Sequence, residues 1–94
     1  MKTGKHTSFL INFIKDFIDG EIDCYFFKMD YSAYVIEHFP HMEYENPRLA
    51  DRFADTIDYA FEHGTNLRLT DEEFRAEISA AFDEWLGKTK RDII

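Results

Sequence analysis

The stretch Asn46–Gly64, NPRLADRFADTIDYAFEHG, decides the fold. Asn46 is a good N-cap, and Pro47 falls at the first helical position, where its missing N–H costs nothing. Gly64 stands where a helix C-cap takes a residue that accepts positive φ. Leu49, Phe53, Ile57, Ala60 and Phe61 recur at helical spacing and define an apolar face. At about 100° per residue, Asp51, Asp55, Asp58 and Glu62 fall on the opposite side. The reading is an amphipathic helix over about 47–63, with a back that must be buried and a carboxylate stripe facing outward.

The flanking segments supply partners for that back. Upstream, Thr7 or Ser8 is placed to cap a helix over about 8–19. Its pairs Phe9-Leu10, Phe13-Ile14 and Phe17-Ile18 make a broad apolar face, and Gly20 ends it. A second helix is expected over about 22–38, with Ile22, Phe26, Met29, Ala33 and Ile36 as its core stripe and Pro40 as its stop. Beside that stripe runs a row that alternates acid and aromatic: Asp23, Phe27, Asp30, Tyr34, Glu37. Pro40–Glu45 reads as a loop. Downstream, Thr70-Asp71-Glu72-Glu73 is a capping box, which opens a helix over about 71–86. Phe74, Ile78, Ala81, Phe82, Trp85 and Leu86 form its apolar face, and Gly87 caps its end. Four amphipathic helices with short joins predict an all-α, antiparallel four-helix bundle in a single domain over 1–94, with tails at 1–6 and 88–94.

Composition agrees with a folding chain. Ten Phe, five Tyr and one Trp in 94 residues are a large apolar payload. No apolar run of about 18 residues is present to cross a membrane, and the N-terminal segment lacks an apolar signal-peptide core. Cys24 is the single cysteine, so no intrachain disulfide forms and a reducing, cytoplasmic setting is expected. The net charge is −8, but residues 16–87 hold eighteen acids against five bases, a net −13. Such a body repels nucleic acid and anionic membrane and attracts a basic partner.

Enzyme motifs are missing: no Gly-rich phosphate loop, no GxSxG and no HExxH. His38-x-x-His41 has metal-ligand spacing, but Pro40 is expected to break that face, so no metal or other cofactor is assigned. Cys24 sits beside Glu21 and Asp23, which would raise its pKa rather than activate it. No catalytic residue is assigned. Asp30-Tyr31-Ser32-Ala33 resembles a carrier-protein attachment site only faintly. What remains is the acid surface. Like charges at i, i+4 cost a few tenths of a kcal/mol per pair, so the unmixed Asp51–Glu62 row weakens its own helix. Aromatics ringed by charge suit a protein–protein contact.

One resemblance bears on this surface. Phe9–Phe27, with its Phe17-x-Asp19-Gly20-Glu21-Ile22 turn and the following Phe26-Phe27 pair, resembles the opening of the colicin D-type immunity family, the bacterial self-protective colicin-like immunity proteins. Leu69-Thr70-Asp71-Glu72-Glu73-Phe74-Arg75, leading into Ile78 and Phe82, is similar to that family's final helix. The resemblance implies a cytoplasmic immunity protein without catalytic chemistry. Its partner would be the C-terminal toxin domain of a colicin, pyocin or contact-dependent inhibition system, often a transfer-RNA nuclease. It carries over no interface residues.

A nuclease site is basic because it holds phosphate. The candidate contacts are therefore Asp23, Phe27, Asp30, Tyr34 and Glu37, together with Asp51, Asp55, Asp58 and Glu62. Three alternatives stay open: an acidic nucleic-acid mimic that inhibits another basic protein, a small helical carrier, and a homodimer in which Phe27 and Tyr34 face a second copy.

Overall fold

The computed structural model describes residues 4–87. The chain runs through α1 (Lys5–Ile18), α2 (Cys24–Glu45), α3 (Pro47–Phe53), a π-helical turn (Ala54–Asp58), α4 (Tyr59–Asn66) and α5 (Asp71–Leu86). α3, the π turn and α4 form one continuous rod, since Phe53, Ala54, Asp58 and Tyr59 all keep right-handed helical backbone. The described residues are thus all-α: four helical rods around one core. The expected tails fall partly on residues 1–3 and 88–94, outside the described residues. Lys5 and His6, also assigned to a tail, belong to α1.

α5 forms where local signals dictate it. The Thr70 hydroxyl accepts from Glu73 N–H at 3.2 Å, and the Glu73 carboxylate accepts from Thr70 N–H at 3.0 Å. Gly87 ends the helix in the left-handed region at φ 72°. Its face buries Phe74, Ile78, Ala81, Phe82 and Trp85, and Trp85 Nε1 donates to the Leu49 carbonyl at 2.8 Å. α3 opens as expected, with Asn46 Oδ1 accepting from Leu49 N–H at 3.2 Å and Pro47 in the first turn.

The start of α1 differs from the sequence reading. Neither Thr7 nor Ser8 caps it. Thr7 is fully buried inside the helix, and the cap comes from the far end of α2. Glu45 accepts from His6 N–H at 3.1 Å, and from Thr7 N–H and Thr7 Oγ–H, both at 2.8 Å. Gly4, at φ 94°, makes room: a Cβ there would lie 2.5 Å from the Glu45 carboxyl carbon.

α2 departs most. Pro40 does not stop it; the helix continues to Glu45, and the expected Pro40–Glu45 loop is helical. A proline in a helix interior costs about 3 kcal/mol, through a lost hydrogen bond and a clash with the carbonyl four residues back. Here that carbonyl belongs to Ile36, and both residues lie on the exposed side, open to solvent. Burial of His38 and Met42 and the Glu45 cap offset the remainder.

The buried face of α2 is also not the expected one. Cys24, Phe27, Tyr31, His38 and Met42 point inward, whereas Phe26, Met29, Ala33 and Ile36 are exposed and Ile22 is half-buried. Phe27 stacks on Phe17 with ring centroids 4.0 Å apart, and on Phe13 at 4.9 Å. Tyr31 stacks on Phe61 at 3.9 Å. Planar rings from α1 and α4 thus select the aromatic stripe over the aliphatic one.

Gly64 is not a cap either. It is buried within α4, and a Cβ there would sit 2.5 Å from Phe74 Cδ1. It is a point of close helix packing against α5. The positive φ after α4 belongs to Arg68, at 54°.

Candidate functional site

Beside the Asp19–Asp23 turn, α1 and α2 leave a groove of about 430 Å³. Phe13, Ile22, Phe26 and Tyr34 make its apolar walls, and Glu21, Asp23 and Asp30 supply carboxylates. Tyr34 meets Phe9 and Phe13 edge-on, both at 4.9 Å, which fixes its ring on the wall. Arg75 of α5 holds the turn from below: Nε donates to the Phe17 carbonyl at 2.8 Å and Nη2 to the Ile22 carbonyl at 3.0 Å. That cation is spent on backbone and on the face of Phe17, 4.6 Å away. Among the described residues it forms no ion pair.

The acid–aromatic row is therefore brought together in part. Asp23, Asp30 and Tyr34 line the groove, and Glu37 continues the row beyond it on the surface. Phe27 does not belong to the site, because it is fully buried in the core. Glu21 and Phe26 were missed as site residues. Phe26 and Phe27 are helix neighbours about 100° apart, and the stacking of Phe27 on Phe17 decides which of them turns inward.

The Asp51–Glu62 row is not one stripe. A π turn widens the hydrogen-bonded loop to i→i+5, and within it Asp55 and Asp58 turn to different neighbours. Asp58 faces α2, where it accepts from the Tyr31 hydroxyl at 3.0 Å. Burial, and then the Asp58 charge, push the Tyr31 phenol far above its ordinary value, so it stays a donor. Asp55 faces α5 and shares a shallow groove of about 180 Å³ with Glu77 and Glu84. Asp51 and Glu62 are exposed. Among the described residues, the side chains of Asp51, Asp55 and Glu62 form no ion pair or hydrogen bond.

A histidine cluster lies where α1 begins and α2 ends. Because Pro40 is inside α2, His38 and His41 share one helix, and His6 reaches them from α1. His6 Nδ1 is 2.8 Å from His38 Nδ1, and the His6 ring stacks on His41 at 4.1 Å. Burial, and then the neighbouring His41, lower the His6 pKa, so the neutral ring is favoured. Among the described residues no group of three or more His, Cys, Asp or Glu is placed to hold a metal ion.

Cys24 is buried against α5, with its thiol 3.6 Å from the Asp71 carbonyl. Burial, and then the Asp71 charge, raise its pKa. The direction is the one expected, but it does not come from Glu21 and Asp23. Among the described residues no helix is long and apolar enough to cross a membrane. No protein-family model, curated protein or solved structure matches the chain.

Proposed function

We propose that this chain is a binding protein of the immunity type, which neutralises a bacterial toxin nuclease domain by covering part of its basic surface. The observation that carries the reading is the α1–α2 groove, where aromatic walls and three carboxylates meet with no cation among the lining residues. A nuclease must present Lys or Arg to hold phosphate. Such a side chain lays its methylene stem on Phe26 or Tyr34 and its charged head beside Asp23 or Asp30. Complementary charge also speeds encounter, which an antitoxin needs.

The resemblance of Phe9–Phe27 and Leu69–Phe82 to colicin D-type immunity proteins supports the same partner, a transfer-RNA nuclease of a colicin or contact-dependent inhibition system. Dispersal of the carboxylates over several grooves weighs against a nucleic-acid mimic, which needs one long face of evenly spaced charge. The reading implies the cytoplasm, where a lone thiol stays reduced. It requires no cofactor and no catalytic residue.

The test is a pull-down with the tagged full chain from its own cell lysate, washed at low and then high salt, with mass spectrometry of the eluate. One toxin C-terminal domain is expected, near-stoichiometric and released by salt. Asp23→Lys with Asp30→Lys abolishes its recovery, whereas Asp51→Lys with Asp55→Lys does not. The reverse sensitivity moves the interface to α3. Recovery of nothing specific, or only of the chain itself, sinks the reading.

A further inference from the structure

The outward face of α2 carries an ordered apolar seam. Phe26, Met29, Ala33, Ile36 and Pro40 are spaced three, four, three and four residues apart, the repeat of a coiled-coil interface. At about 100° per residue they fall within one arc of about 80°, opposite the buried Phe27, Tyr31, His38 and Met42. Phe26 is 51% exposed, Met29 52% and Ile36 76%. Ala33 and Pro40 are exposed as well. The seam is about 21 Å long at 1.5 Å per residue. Single exposed apolar residues are ordinary, but a continuous apolar strip rimmed by polar groups marks an interaction surface.

Charge says what covers it. Asp23, Asp30 and Glu37 recur every seven residues along one edge of the seam. On the other edge Ser32 and Phe39 are uncharged, and Glu43 ends the seam at its next repeat position. A second copy of this chain would bring the same acids. Docked antiparallel, it sets Asp30 and Glu37 against each other's counterparts, an unfavourable like-charge pairing. Docked parallel, it leaves them facing neutral side chains, so neither arrangement of a second copy gives these acids an opposite charge, which a basic edge does.

We propose that the seam docks one amphipathic helix of a different protein, apolar along its facing stripe and carrying Lys or Arg along the edge that meets Asp23, Asp30 and Glu37. This rests on the basic-partner part of the function proposed above, but not on the partner being a nuclease. The mode is a helix laid along a helix, with apolar anchors giving affinity and one charged edge fixing direction.

The probe is a displayed library of helical peptides about three heptads long. Apolar residues are fixed at the facing positions, and Lys, Arg, Glu and Gln vary at the edges. Selection uses the immobilised full chain. Enriched peptides are expected to carry Lys or Arg along one edge, and to bind the Met29→Asp/Ile36→Asp double variant at least about tenfold more weakly, a loss of about 1.4 kcal/mol. Both substitutions are at exposed positions, so the far-UV circular dichroism melt stays unchanged; a melt that collapses shows that the seam serves the fold and overturns the proposal.

No enrichment, enrichment without a basic edge, or equal binding to the double variant also overturns it. So does a wild-type dimer in sedimentation that the double variant converts to monomer, because the occupant is then a second copy. Toxin capture that is indifferent to Met29→Asp/Ile36→Asp leaves the immunity reading standing without the seam. Peptide selection without toxin capture leaves the seam standing alone.

Discussion

Glu45 at the end of α2 caps the helix that holds Thr7: its Oε1 accepts from both the Thr7 N–H and the Thr7 hydroxyl, each at 2.8 Å. Thr7 is fully buried, so the hydroxyl finds no water when the bond is lost. Thr7→Val keeps the shape and removes one hydrogen bond. It is expected to cost about 1 kcal/mol and to lower the melting temperature by about 4–8 °C for a domain of this size. Gly4→Ala adds a Cβ 2.5 Å from the Glu45 carboxyl carbon at φ 94° and is expected to cost at least as much. Thermal melts of the two variants check both.

The same junction makes the fold acid-sensitive. His6 faces His38, His41, Glu45 and Lys5, and Glu37 approaches His38 Nε2 at 4.0 Å. The Nδ1–Nδ1 hydrogen bond between His6 and His38 needs one donor and one acceptor, so at most one of the two rings is charged while it stands. The folded chain holds the His6 pKa below its ordinary value. As pH falls below about 6.5, the unfolded chain therefore takes up a proton that the folded chain refuses, and stability drops. At Glu45 burial raises the carboxyl pKa, but the hydrogen bonds from Thr7 and His6 outweigh it and hold it below the ordinary value. Its contribution is present at neutral pH and is lost at lower pH still. Urea midpoints should fall from pH 7.5 to 5, and His6→Phe should flatten the upper part of that profile. A wild-type midpoint that rises on acidification contradicts the account.

Gly64 offers a test by sign. In an exposed helix interior, Gly→Ala stabilises by about 1 kcal/mol. At Gly64 the new Cβ lies 2.5 Å from Phe74 Cδ1 and 2.9 Å from Cε1. Phe74 is fully buried among Phe17, Phe27 and Phe61, so it has no free space to enter. Gly64→Ala is expected to destabilise by about 1–3 kcal/mol, the usual cost of overpacking. A stabilised variant in chemical denaturation would show that Gly64 is an ordinary helix-interior position and not a point of close packing.

The elements that were legible in the sequence are those whose local signals all agree. In α5 the capping box, the apolar period and Gly87 point one way, and the helix ends where they say. α1 was legible in its buried face but not at its start, because its cap lies 38 residues away in Glu45. α2 carries two apolar stripes of equal regularity, and periodicity does not rank them. The choice is made by ring stacking of Phe27 on Phe17 and Tyr31 on Phe61, which are tertiary contacts. The π turn is equally hidden, and it holds both Asp55, which faces α5, and Asp58, which faces α2. Of the site, Asp23, Asp30 and Tyr34 were legible from spacing. Glu21 and Phe26 required knowledge of which stripe of α2 turns outward.

Asp58 marks where fold and surface compete for one carboxylate. Its Oδ1 accepts from Tyr31 at 3.0 Å, and Tyr31 is buried against Phe61. Tyr31→Phe removes the hydroxyl and keeps the stack. The expected loss is about 1 kcal/mol, the net value of one hydrogen bond, with Asp58 left half-exposed and solvated. Asp58→Ala removes the acceptor instead and leaves the Tyr31 hydroxyl unpaired in a tight site. It is expected to cost more, about 1–3 kcal/mol. The order of the two losses is the test, read from urea midpoints at one pH. If Asp58→Ala is the milder change, the carboxylate serves the surface more than the fold, and it rejoins the candidate contacts for a basic partner.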